Sequence, residues 1–365
     1  MLYFDHAATT PIYPEVISLL NLSFSEDFAN PASQHRLGKE MAKKIDLARS
    51  SILKALDANT NKYQVVFTSS ATESNNQVIK SFNKDRILHY LSDHPSVTNC
   101  FKEQGLHLND SENLIERVSD ETELVILSHV NSQSGQIRDV NRIAKHLKEI
   151  NPKVRVLVDS AQGIGKVPLS LKDESIDYLV MAAHKIGGPR GIAALITRID
   201  APLKPLLNGG GHELNVRAST PSTPLILGLE KAIQISLENI DEKLEKMTIK
   251  SQRLKEELRS IHPNIDFPFG SAEVSPYINT MTFKGLPSDV LLRTLESKKV
   301  YVSSSTACSS KVKVKNKMLL GLGLKEDIQK NVLRISMCQK TTDDELNEFL
   351  SLFKEAVEEL SFLIK

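Results

Sequence analysis

Cysteine is scarce in this chain. Its 365 residues hold three, Cys100, Cys308 and Cys338, an odd and small number that excludes a disulfide framework and points to a reducing compartment. Net charge is nearly absent too, with 46 basic against 45 acidic residues, so no global basic field favours nucleic acid. No apolar run is long enough to span a bilayer, and the opening Met1-Leu2-Tyr3-Phe4-Asp5-His6 lacks the basic and apolar regions of a leader. The expectation is a cytoplasmic protein with no membrane segment and no direct nucleic-acid contact. No internal repeat and no low-complexity tract interrupts the chain.

What remains is ordinary globular composition, 40% hydrophobic and 25% charged, on a chain long enough for one large unit or two domains. Helical and strand patterns alternate through the first two-thirds. Residues 31–56 read as a helix with Leu37, Met41, Ile45, Ala48 and Ile52 on one face. Strands are predicted over 64–68, 124–130, 154–158 and 176–180, with a short helix over 140–149. This alternation predicts an α/β fold with a mostly parallel sheet covered by helices, and ligands bind such sheets beyond the carboxyl ends of their strands. Residues 221–260 read as a long helix, rich in Lys and Glu, that links two domains. Short strands over 277–283, 300–303 and 332–337 then mix with helices, and 342–364 form a last helix with an acidic first turn.

Four strand ends carry chemistry. Thr68-Ser69-Ser70-Ala71-Thr72 opens a helix whose free N–H groups and dipole suit an anion, although an ordinary Ser or Thr cap explains the same residues. Ser128-His129-Val130-Asn131-Ser132 is a polar turn, or simply a loop. Asp159 ends an apolar strand. It is either a helix cap or the partner of a protonated pyridine nitrogen, which its charge keeps electron-withdrawing. Val180-Met181-Ala182-Ala183-His184-Lys185 ends another strand beside Gly187 and Gly188, where a lysine can approach a carbonyl cofactor, though most lysines are merely solvated. Together the four specify an anion site, a carboxylate for a ring nitrogen and a lysine for an aldehyde: the needs of pyridoxal 5'-phosphate (PLP). One β-α-β step separates Asp159 from Lys185, which places them on neighbouring strand ends.

Several segments carry a resemblance to a known family. They are Tyr3-Phe4-Asp5-His6-Ala7-Ala8-Thr9-Thr10-Pro11, Asn30-Pro31, Ala71-Thr72-Glu73-Ser74-Asn75-Asn76 and Asp93-His94-Pro95. Asp159-Ser160-Ala161-Gln162, Ala183-His184-Lys185, Gly209-Gly210-Gly211, the serine-rich surroundings of Cys308, and Arg334-Ile335-Ser336 complete them. The chain resembles the cysteine desulfurases of the class V aminotransferase group, among the fold-type-I PLP enzymes. The resemblance implies a large PLP-binding domain over 13–245. A smaller α+β domain, built from 1–12 and 246–365, would carry the catalytic cysteine loop. Lys185 would hold PLP covalently and move protons at the substrate Cα. His94 would stack on the ring, Asp159 would pair with its nitrogen, and Gln162 would bond its hydroxyl. Thr72 and His184 would hold the phosphate, and Thr220 would reach the phosphate of the other subunit in a homodimer. Arg334 and Asn131 would bind the substrate, L-cysteine. Cys308 would take its sulfur as a persulfide for a sulfur-acceptor protein, leaving L-alanine. No metal is implied.

Departures from the family pattern bear on efficiency. Ser132 replaces an Asn, Ala182 replaces a Ser that would bond the phosphate, and Ser219 stands in the usual Arg-Ser-Gly-Thr segment where the family has Gly. One lost charge-assisted hydrogen bond is worth about 1.5–3 kcal/mol. Lys311, Lys313, Lys315 and Lys317 follow Cys308 either as a solvated basic loop or as groups that favour its thiolate or dock an acidic acceptor. Selenocysteine or another thiol amino acid as substrate, and a weakened homologue acting as a scaffold in sulfur trafficking, stay open as other readings. So does the acceptor pathway, with iron–sulfur assembly and tRNA thiolation among the choices.

Overall fold

The computed structural model describes the chain except for residues 102–105, 111, 271–272, 305–315 and 365. Its strands are β1 (Leu2–Tyr3), β2 (Tyr63–Thr68), β3 (Ile87–Tyr90), β4 (Leu106–Leu108), β5 (Leu124–Ser128), β6 (Arg155–Asp159), β7 (Tyr178–Ala182), β8 (Ala193–Arg198), β9 (Ile265–Asp266), β10 (Ile278–Phe283), β11 (Val300–Tyr301), β12 (Ser303–Ser304) and β13 (Val332–Ser336). Seven of them form one sheet in the order β2-β8-β7-β6-β5-β3-β4. Strands β3 to β7 run parallel, while β8 is antiparallel to both β2 and β7. The continuous apolar runs Leu124–Ser128 and Tyr178–Ala182 are buried throughout, as strands covered on both faces must be.

Register places the chemistry. Asp159 pairs with Val180 across β6 and β7, so the lysine that follows β7 lies beside the carboxylate that ends β6. The connection between them is not helical as anticipated. It runs through turns, because Gly163 sits where a Cβ would meet the His129 ring at 2.2 Å, and Gly165 has φ +69. That close approach fixes His129, whose Nδ1 lies 2.9 Å from Ser160 Oγ.

The helix predicted over 31–56 spans Arg36–Ala55, capped by His35, whose Nδ1 accepts from the Gly38 N–H at 3.2 Å. Met41, Ile45, Ala48 and Ile52 are buried, but Leu37, in the first turn, is exposed. The long helix over 221–260 is two helices, Thr223–Leu237 and Ile240–Ile261, parted at Asn239 with φ 51. A left-handed residue there interrupts the helix, a conformation asparagine tolerates better than most residues. Leu237 packs on the core beneath the large sheet, and Leu244 and Met247 on a second core. This second core lies against the antiparallel sheet β12-β13-β10-β9 and the closing helix Asp343–Glu359. The closing helix begins with a reciprocal capping box between Thr342 and Glu345.

The amino terminus crosses between the two cores. Strand β1 pairs in parallel with β11, Leu2 and Phe4 pack into the second core, and Asp5 bridges Ser336. The chain then runs to the end of β7, where the Thr10 N–H donates to the His184 carbonyl at 2.8 Å. Among the described residues no helix is long and apolar enough to cross a membrane.

Candidate active site

Lys185 sits in a short 3-10 turn, Ala183–Lys185, directly after β7. Its Nζ donates to the carbonyls of Ala7 at 2.5 Å and Ala8 at 2.8 Å. Burial, reinforced by the Arg334 charge, pushes its amine down to about 8. A lysine in this state is mostly protonated at pH 7 but holds about a tenth of its amine free and nucleophilic, far more than an ordinary lysine.

A hydrogen-bonded run connects Asp159 with His94. Asn75 donates to Asp159 Oδ2 at 2.8 Å and to Ser96 Oγ at 2.9 Å, and Ser96 Oγ lies 2.9 Å from His94 Nδ1. The Ser96 N–H also donates to Nδ1, so this nitrogen is an acceptor and the ring proton belongs on Nε2. His94 caps the short helix Pro95–Thr98, which fixes the ring at the mouth of the strands. Burial holds its pKa below the usual imidazole range, with Lys185 adding to the effect and Asp159 opposing it. Asp159 Oδ1 accepts from the Ala161 N–H at 3.0 Å, so each carboxylate oxygen keeps a lone pair for another donor.

The anion end is built on the helix Ala71–Lys80. Ser70 caps the Glu73 N–H, Glu73 in turn binds Ser69 and Arg217, and the N–H groups of Ala71 and Thr72 are left without intrahelical partners. Thr72 is exposed at this helix start. His184 lies across from it in sequence order but beside Thr9 in space, with Nδ1 3.2 Å from Thr9 Oγ1. Burial and the cations Lys185, Arg190 and Lys166 push its ring down to about 4, so it is neutral at pH 7.

Arg334, on β13, enters from the second core. One guanidinium nitrogen donates to the Ser132 carbonyl and the other to Asp5 Oδ1, both at 2.9 Å, while its buried Nε has no partner. Gln162 is buried and donates to the Ala7 carbonyl at 2.7 Å, and its second amide N–H has no partner among the described residues. Asn131 is held differently from the others. Its oxygen accepts from the Gln133 and Ser134 N–H groups and its amide donates to the Ser92 carbonyl, so the side chain shapes the turn and keeps one N–H. Thr220 is exposed and has no hydrogen bond within its own chain among the described residues. Cys308, and the lysines 311, 313 and 315, lie outside the described residues.

The structure thus brings together Lys185, Asp159, His94, Gln162, His184 and Arg334. It adds Asn75, Ser96, Asp5 and the Ala7 and Ala8 carbonyls, to which sequence reading assigned no role. Asn75 and Asp5 stood inside the recognisable segments, which was the only signal for them. This donor set fits PLP: a free amine, a carboxylate with spare lone pairs, a helix start with free N–H groups, and two buried donors, on Gln162 and Arg334, awaiting partners.

The departures have structural counterparts. Ala182 is buried and offers only a methyl group. Ser219 has φ 148, a region that favours glycine, and the family has Gly there. Such strain costs about 1–3 kcal/mol. Ser219→Gly is therefore expected to raise the midpoint of urea unfolding with an unchanged m-value, and an equal or lower midpoint would refute the strain.

Comparisons with known proteins agree with this geometry. The model of the class-V aminotransferases matches residues 2–349. A cysteine desulfurase of Trichormus azollae is 30% identical, with all of this chain and 94% of that protein covered. The cysteine desulfurase IscS of Clostridium botulinum is also 30% identical, over 98% of this chain and 94% of the relative. Among solved structures, a NifS-like protein superposes with a TM-score of 0.88 at 28% identity, covering 99% of this chain and all of the other. The chain belongs to the class-V aminotransferase family and, within it, to the PLP-dependent cysteine desulfurases.

Proposed function

We propose that this protein converts L-cysteine to L-alanine and passes the sulfur, through Cys308, to an acceptor protein. The observation that carries this reading is the convergence of a lysine of lowered pKa and a tethered carboxylate at adjoining strand ends with a buried arginine from β13. PLP, when bound, supplies an electron sink for negative charge developing at the substrate Cα. Asp159, oriented by Asn75, keeps the ring nitrogen protonated. The Lys185 amine removes the Cα proton and later returns one. Arg334 binds the substrate carboxylate, for which its planar fork is suited. The Cys308 thiolate attacks the substrate sulfur, so that a sulfur–sulfur bond forms as the carbon–sulfur bond breaks.

The exposed Thr220, with no hydrogen-bond partner in its own chain among the described residues, supports a homodimer in which it serves the neighbouring subunit. The two separate cores support a large unit over 13–245 and a smaller one from 1–12 and 246–365. The near-neutral charge and scarce cysteine support a cytoplasmic setting.

Purified protein incubated with PLP, L-cysteine and a thiol reductant is expected to release alanine and sulfide in equal amounts, and Cys308→Ala is expected to stop sulfur transfer. Absence of alanine would refute the reading. Alanine with selenocysteine but not cysteine would move it to a selenocysteine lyase.

A further inference from the structure

Among the described residues Lys166 is the only buried lysine, 5% exposed. No described carboxylate lies within ion-pair distance of it; the charged and titratable groups that face it are Lys185, Arg334, His6, His184 and Cys338. An unpaired buried ammonium is costly, and burial together with Lys185 pushes it down to about 7. Its polar side-chain contact is Gln162 Oε1, at 3.1 Å. The Gln162 amide then donates to the Ala7 carbonyl, the same oxygen that accepts from Lys185 Nζ. Lys166 and Lys185 also line one cavity, with Lys340 at its rim.

We propose that Lys166 is a positioning residue that acts through Gln162: by donating to Oε1 it holds the amide oxygen inward and strengthens the remaining Nε2–H as a donor toward the cofactor's ring oxygen. The inference rests on the reading above that the site holds PLP with Gln162 at the ring. Its physical basis is polarisation. A cation on the amide oxygen draws electrons from the nitrogen, so the N–H bonds that nitrogen makes become stronger. The arrangement also accounts for a buried lysine that has no ion-pair partner and lies beside two other cations.

The test uses the holoenzyme and three variants: Lys166→Met, Gln162→Leu and the double variant. A donor on the ring oxygen lets the neighbouring imine nitrogen lose its proton at lower pH. Weakening that donor should therefore move the pH midpoint of the visible absorption band upward. Lys166→Met and Gln162→Leu are expected to raise the midpoint similarly, the double variant no further, and each to weaken PLP binding to the stripped protein about tenfold. If Lys166→Met shifts the midpoint equally in the Gln162→Leu background, the lysine acts through space and the proposal fails. An unchanged midpoint in Lys166→Met overturns it as well. Should the methionine variant not accumulate folded, Lys166→Leu, apolar and without a donor, carries the same comparison. A wild-type protein that shows no visible band and binds no PLP would instead sink the underlying functional reading. A normal band in which Lys166 has no influence sinks this inference alone.

Discussion

Lys185→Ala is expected to lower alanine release from L-cysteine by about 10³-fold or more, the scale set by losing a positioned nucleophile and proton carrier together. The lysine is prepared for both tasks before any ligand arrives. Its Nζ is drawn to the Ala7 and Ala8 carbonyls, and burial with Arg334 nearby brings its pKa down to about 8 from the ordinary lysine range. The sign follows directly. Because the neutral amine is the reactive form, the rate at which stripped protein takes up PLP should rise with pH through about 8 and level off above it. An ordinary lysine would still be gaining reactivity near pH 10. Stopped-flow absorbance across pH 6.5–9.5 reads this, on the order of one unit either side of the midpoint. A rate still climbing at the alkaline end, or a Lys185→Ala protein that keeps a tenth of the activity, would contradict the assignment.

Glu213→Ala is expected to be the most damaging substitution for stability outside the site, at about 3–5 kcal/mol. Glu213 is buried and receives the Arg49 guanidinium at 2.8 Å and the Phe67 N–H at 2.7 Å, just before the β2 end that leads into the helix Ala71–Lys80. Its removal leaves the poorly solvated Arg49 guanidinium with only the exposed Asp46 carboxylate, at 3.7 Å, and the Val65 carbonyl, and orphans a buried backbone donor. Glu213 also opens a run of three residues with positive φ, Glu213, Leu214 and Asn215, which only an anchored loop sustains. Urea unfolding measures the loss; Glu213→Gln, which keeps the size and one of the two acceptor oxygens, should recover part of it. A cost below about 1 kcal/mol, the level of an exposed pair, would show the contact to be incidental.

Much of this was legible along the chain. Asp159 and Lys185 each end an apolar strand, and such strands in an alternating α/β pattern pair in parallel with their ends on one side. The register between β6 and β7 follows from that rule. The closing helix announced its start through its acidic first turn, Asp343, Asp344 and Glu345. Strand β8 was not legible. Ala193–Arg198 is as apolar as its parallel neighbours, and apolarity reports burial, not direction. The break at Asn239 was hidden for a similar reason: the Lys- and Glu-rich pattern continues through it, and one left-handed residue leaves no periodic trace.

By itself the sequence determined the chemical parts and their order: a lysine, a carboxylate, a histidine, an arginine, and a serine-flanked cysteine. Local patterns could do this because Asp159 and Lys185 stand at, or just after, the ends of strands whose periodicity spans only a few residues. What supports the parts was decided by tertiary structure alone. Asn75 meets Asp159 across 84 positions, Lys185 meets Ala7 across 178, and Arg334 meets Asp5 across 329. These bonds exist because the amino terminus is paired into the second core and its next few residues are carried to the end of β7. Contacts between such distant segments depend on how two cores pack, and no local pattern of residues records that.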